Sequence, residues 1–244
     1  MHDTRSSVRR VEPVVDPLPE PLSCHVLSSV TEDYLKAVWT SREWSSMPVT
    51  TKMLAERMGV AASTASETVR RLTDQGLLEH RPYAAIELTE HGRMHALSMV
   101  RRHRLLEAYL VSALGYSWDE VHAEAEVLEH AVSNRLIERI ADRLGHPDRD
   151  PHGDPIPSSD GHAPTSAARP LSALEPGESG RVVRISDEQP DMLRWFSSIG
   201  LGLDVAVTLV ERRSFAGVIR VAVDSSPEHV DLGDVAAHAV WVST

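Results

Sequence analysis

A chain of 244 residues is long enough for two small domains or one large one, and its 41% hydrophobic and 25% charged content is ordinary for a globular protein. No apolar run approaches the roughly 18 residues of a membrane helix, the N-terminal stretch lacks a signal-peptide core, and the lone Cys24 cannot close an internal disulfide. These features argue against a membrane span, secretion or a disulfide scaffold, and make the cytoplasm the expected location. The net charge of −11 is uneven: residues 1–104 hold 14 Lys/Arg against 13 Asp/Glu, whereas residues 105–244 hold 11 against 23. A near-neutral half carries no strong steering field, so nucleic-acid binding there needs help, of which bound dications are one form.

The Pro-rich, charged segment 1–26 reads as a disordered tail. Ser29 followed by Glu32 has capping-box spacing, and Leu27, Val30, Tyr34, Val38 and Trp39 then recur at helical intervals. Thr50 is placed to cap a short helix running through Met58, with Gly59 as its stop. A second helix is expected from Ala62 to Gln75, closed by Gly76, followed by short β runs at Leu77–His80 and Ala85–Leu88 around Pro82. Thr89 should cap a long helix to about Ala113, ending near Gly115; Ser117 with Glu120 repeats the capping-box spacing, and a further helix ends at Gly145. Residues 146–170 carry too many prolines for a helix or a central strand and read as a linker. Beyond it, Arg181–Ile185, Val205–Arg212, Val218–Val223 and Ala239–Val242 are strand-like, with a helix near Pro190–Ser197, which suggests a small SH3-like barrel.

Short helix, glycine turn, second helix and β-hairpin together make a winged helix-turn-helix, with Leu54, Ala55, Met58, Val60, Ala65, Val69 and Leu72 as its expected core. The second helix then offers Ser63, Thr64, Ser66, Glu67 and Arg70 to the major groove, and the hairpin offers Arg81 and Tyr83 to backbone or minor groove. The shortage of Arg and Lys implies modest affinity per monomer. A homodimer on palindromic double-stranded operator DNA would compensate.

In VHAEAEVLEHAV, Glu126, Glu129 and His130 fall at i, i+3 and i+4 on one helix face, with His122 a turn earlier. His103 and Glu107 are also one turn apart on the preceding helix. Single Glu/His pairs of this kind are usually solvated. Two clusters on adjacent helices, next to Leu105, Leu106, Val127 and Leu128, instead favour a bound cation, because such groups are costly to bury uncompensated.

The run from TEDYLKAVW through the winged helix, VRRHRLLEAYL, VHAEAEVLEHAVS and GDPIP resembles the diphtheria toxin repressor family of metalloregulators. The resemblance implies a primary metal site from Asp33, Glu126, Glu129 and His130. Iron-sensing members carry Met and Cys at the first two of these positions, and manganese-sensing members carry Asp and Glu, as here. It further implies a second site at His103, Glu107 and His122, completed from the C-terminal domain, where Glu188 and Asp191 are the candidates with Asp187 nearby. Lys36 departs from the short manganese-sensing members, which carry a metal-bridging Glu there, so two separated sites are expected rather than a closely spaced pair of metals.

The expected architecture is mainly α with small β: tail 1–26, winged helix-turn-helix 27–94, helical dimerisation and metal-binding domain 95–150, linker 151–170 and an SH3-like (FeoA-like) domain 171–244. The expected function is that of a Mn2+-dependent transcriptional repressor of metal-uptake genes. Fe2+ is the alternative ion, and Co2+ or Zn2+ are able to substitute in vitro. An enzyme is disfavoured by the lack of an H-E-x-x-H pair, phosphate loop or nucleophile elbow. A winged-helix regulator of an organic ligand is the remaining alternative, and it would ignore chelators.

Overall fold

The computed structural model describes residues 27–81, 84–164 and 167–243. The expected tail, Cys24 and Tyr83 lie outside the described residues.

Helix α1 spans Ser29–Glu43, capped by Ser28, whose Oγ accepts from the Thr31 backbone at 3.3 Å. The cap therefore sits one residue before the expected one. Thr50 caps α2 (Thr51–Arg57), and Gly59 and Gly76 take the positive φ that ends α2 and α3 (Ala62–Asp74). Two short strands, β1 (Leu78–Glu79) and β2 (Glu87–Leu88), pair antiparallel as the wing. Leu35, Val38, Leu54, Val69, Leu72, Leu78 and Ile86 make one core beneath them. Val60, expected in that core, is instead 38% exposed, because it lies in the turn between α2 and α3.

Thr89 caps α4 (Glu90–Leu114), which Gly115 closes in the left-handed conformation. Helix α5 (Val121–Leu128) starts later than expected: Ser117 N–H donates to the Glu120 carboxylate, but residues 118–120 form turns. Ser133 caps α6 (Asn134–Leu144). Leu105, Leu106, Leu110, Val121, Ile137 and Ile140 fill a second core. Val127, expected to add apolar cover, is 72% exposed.

The third core belongs to a six-stranded antiparallel sheet of β3 (Arg169–Pro170), β4 (Ser179–Ile185), β5 (Ala206–Arg213), β6 (Val218–Val223), β7 (Val230–Gly233) and β8 (Val240–Ser243). The strands lie in the order β3-β8-β4-β5-β6-β7. Helices α7 (Pro190–Ser198) and α8 (Asp234–His238) accompany it. Strand β6, marked as a strand in the sequence by its β-branched residues, alternates between half-buried and buried positions along its length. No described helix is long and apolar enough to cross a membrane.

Segment 146–164, read from its prolines as a linker, is built into the structure. Asp150 Oδ1 accepts from the backbones of His152 and Asp154 at 2.8 and 3.0 Å, an Asx-type turn, and the Ile185 amide donates to the His152 carbonyl at 2.9 Å. Asp150, His152 and Asp154 are all buried.

Candidate metal centre

Four consecutive side chains of α4 tie the helices together. Arg101 grips Glu138 of α6, Arg102 donates to the Glu129 carbonyl and Asn134, His103 reaches the Glu129 carboxylate at 2.6 Å, and Arg104 forks onto Glu43 of α1. With the helices held this way, carboxylates and imidazoles converge in overlapping groups that share His103, Glu107 and Glu129.

Asp33, Glu129 and His130 form the first, each offering one ligand atom within 4.8 Å of the others. His130 lies 2.8 Å from Asp33 through Nε2 and 2.9 Å from Glu32 through Nδ1. Burial raises the Asp33 pKa, whereas Glu32 and Asp33 outweigh burial to raise that of His130. Glu126 does not join this group. Its carboxylate sits 2.6 Å from the Lys36 ammonium, which also holds Glu129 at 2.5 Å, and it faces His103 and His122 instead. Lys36 thus supplies positive charge between the two glutamates.

The second group joins His103, Glu107, His122 and Asp187. Glu107 Oε1 lies 3.0 Å from His103 and 3.2 Å from His122, and Asp187 lies 2.9 Å from His122. Burial opposes charge on both imidazoles, but Glu107 with Glu129 pushes His103 up to about 9, and Asp187 with Glu107 pushes His122 up to about 10. Glu107, though buried, is held well below the usual carboxylate range by His103 and its neighbours.

The carboxylate from the sheet domain is therefore Asp187 rather than the expected Glu188 or Asp191. Glu188 is exposed at the rim of the adjoining cleft, and Asp191 pairs with Arg194 with its side chain 96% exposed. The reason is local. Asp187 lies two residues after the end of β4, where its carboxylate still meets His122 of the helices, whereas Asp191 belongs to the solvent-facing first turn of α7.

Both donor sets fit a divalent cation, with oxygen and imidazole ligands at mutual distances one ion can span. Asp33, Glu129 and His130 would hold one ion, joined by Glu126 once its carboxylate leaves Lys36. His103, Glu107, His122 and Asp187 would hold the other. A third group, Glu107, Asp150 and His152, is wholly buried. Sequence reasoning passed over it, although the density of Asp and His in DRDPHGD was a signal.

On the winged unit, Ser63, Thr64, Ser66, Glu67 and Arg70 are exposed along α3 while Ala65, Thr68, Val69 and Leu72 face the core, and Arg81 is exposed beside the wing.

Family models account for nearly all of this. Residues 26–86 match the iron dependent repressor N-terminal DNA binding domain, residues 89–158 its metal binding and dimerisation domain, and residues 169–244 the FeoA domain. The iron-dependent repressor IdeR of Mycobacterium leprae is 32% identical over 234 residues, covering 88% of this chain and 97% of that protein. The chain belongs to the iron-dependent (diphtheria toxin) repressor family.

Among other family members, IdeR of Mycobacterium tuberculosis is 39% identical over a shorter stretch, 54% of this chain and 56% of that protein. A solved manganese-dependent transcriptional repressor in complex with manganese superposes with a TM-score of 0.84 at 59% identity, covering 88% of this chain and 99% of that one. These relatives are named as transcriptional repressors, a family without enzymatic activity, so the expectation of no catalysis holds.

Proposed function

We propose that this repressor-family protein is a manganese-dependent regulator that reads a palindromic operator as a homodimer and shuts off metal-uptake genes when the ion is plentiful. What carries the reading is the meeting of Asp33, on α1 beneath the winged unit, with Glu129 and His130 at the end of α5. A divalent ion there would supply the charge that lets these groups stay deprotonated together. Asp33 then fixes α1, and with it the α3 reading helix, against the helical domain, which narrows the range of spacings between the α3 helices of two copies. Exposed Leu114, Val127 and Leu136 are apolar side chains of the helical domain available to a contact between copies. Hard oxygen donors with imidazole suit Mn2+ or Fe2+. Asp33 and Glu126, in place of thioether and thiolate, favour Mn2+, as does the 59% identical manganese-dependent neighbour. The iron-dependent relatives favour the second reading, an iron-dependent repressor.

By reciprocity, whatever factor the ion adds to operator affinity, the operator adds to ion affinity. Mn2+ should tighten operator binding roughly 5- to 150-fold, the ordinary range of such linkage, and Glu126→Ala should remove the gain. Fluorescence anisotropy with and without chelator reads this, and equal affinity in both would overturn the mechanism. In the same assay Glu126→Cys should move the response toward Fe2+, Co2+ or Zn2+. An unchanged ion ranking would tell against the manganese-sensing assignment that rests on Glu126.

A further inference from the structure

His91 and His95 lie one turn apart at the start of α4, outside every group of ligands described above. His91 is exposed and His95 half-buried, and among the described residues each ring is hydrogen-bonded only to the other, Nε2 to Nε2 at 3.1 Å. A straight N–H···N bond of that length would put the ring centroids about 5.4 Å apart. They are 4.8 Å apart, with the ring planes tilted by 58°. The rings therefore meet at an angle and not head-on. That is what two ligands of one ion require: bonds of about 2.0–2.1 Å at ordinary coordination angles hold the nitrogens roughly 3–3.4 Å apart and the centroids about 5 Å apart.

Both rings must be free of their acid proton to ligate. Burial, and then the neighbouring His91, hold the His95 pKa below the ordinary imidazole value, so that ring is neutral at neutral pH. The unpaired amides at the start of α4 oppose a cation, but weakly, because water screens a charge at the surface. Two carboxylates act in its favour: Glu90 opens the helix, and the charge of Glu32 on α1 reaches His95. Glu32 also holds His130 Nδ1 at 2.9 Å, so the histidine pair stands one carboxylate away from the first metal group.

We propose that His91 and His95 form a surface chelate for a late transition-metal dication, Zn2+ or Cu2+, apart from the groups that would hold Mn2+. Two imidazoles completed by water suit these ions, whereas the oxygen-rich groups suit Mn2+. An ion on both rings fixes the first two turns of α4 to one another and places positive charge beside Glu32, the carboxylate that orients His130.

Untagged full-length protein, first saturated with Mn2+, is titrated with Zn2+ by calorimetry alongside His91→Gln and His95→Gln. Exchange of Zn2+ into the manganese groups is common to all three proteins, so differences between the curves isolate the pair. Each variant should bind one Zn2+ about a hundredfold more weakly than wild type, since either loss turns a two-point grip into a single contact. Curves that superimpose overturn the proposal. So does weakening in only one variant, because a lone imidazole is then acting without its neighbour. Crystals grown with Mn2+ and soaked in Zn2+ give a second reading that needs no variant to fold. Anomalous diffraction at the zinc edge must place an ion within about 2.3 Å of both Nε2 atoms, and a peak at only one of them, or at neither, overturns the site. Neither measurement involves DNA, so the manganese-dependent repressor reading stands or falls separately.

Discussion

Replacing Lys36 by leucine should destabilise the metal-free protein by about 3 kcal/mol and, at the same time, tighten its hold on Mn2+ about tenfold. The two effects have one origin. Lys36 is 9% exposed and its ammonium is shared between Glu126 and the fully buried Glu129. Burial weakens its hold on a proton, but the two carboxylates more than restore it, so the charge stays. Removing one partner of a buried pair leaves the other desolvated without compensation, which is where the stability loss comes from. Glu126, with its side chain 42% exposed, contributes less to that loss than Glu129. An incoming cation competes with the same ammonium for the same oxygens, so its removal helps the ion. Thermal unfolding in chelator and in excess Mn2+, with a direct metal titration, separates the contributions. A loss equally large in both conditions would mean that Lys36 is only a structural ion-pair partner.

That competition was not legible in the sequence. The i, i+3, i+4 spacing of Glu126, Glu129 and His130 does gather two carboxylates and an imidazole at the end of α5, and Asp33 meets Glu129 and His130 there. But which way Glu126 turns is decided by a lysine 90 residues earlier in the chain, and periodicity carries no information about such a partner. The same limit explains Asp187: a loop between strand and helix has no repeat to register against, so Glu188 and Asp191 were preferred to their neighbour until β4 fixed the direction of the chain. Helix ends were a different matter, because Thr50, Thr89, Gly76, Gly115 and Gly145 act through their own backbone and nearest neighbours. The proline-rich 146–164 stretch was misjudged for a physical reason. Proline excludes helix and central strand, yet it says nothing against a turn whose side chains are buried by the domains on either side.

That turn supplies the second large expected effect. Arg104 is 5% exposed and donates to Glu43 at 2.9 and 2.6 Å and to the Pro155 carbonyl at 2.6 Å, with Asp154 at 3.4 Å and Asp150 at 3.6 Å. Next to it, the Arg184 guanidinium lies 4.7 Å from the Trp44 ring and 4.2 Å from the Trp241 ring, while its Nε holds Asp154. One guanidinium therefore fixes α1, α4 and the 150–155 turn together, and the next carries the connection into the sheet. Arg104→Met should cost about 3–5 kcal/mol, since it leaves buried carboxylates without their counter-charge. Arg104→Lys should rescue little, because a single ammonium cannot reproduce a fork onto Glu43 and a separate carbonyl. Arg149→Ala is the control. Its pair with Asp204 is of the same chemical kind, but the two side chains are 43% and 57% exposed, and exposed pairs contribute at most about 1 kcal/mol. Urea unfolding in chelator, followed by tryptophan fluorescence, compares all three. Equal midpoints for Arg104→Met and Arg149→Ala would mean that burial does not set the strength of this junction, and that the domains are held together elsewhere.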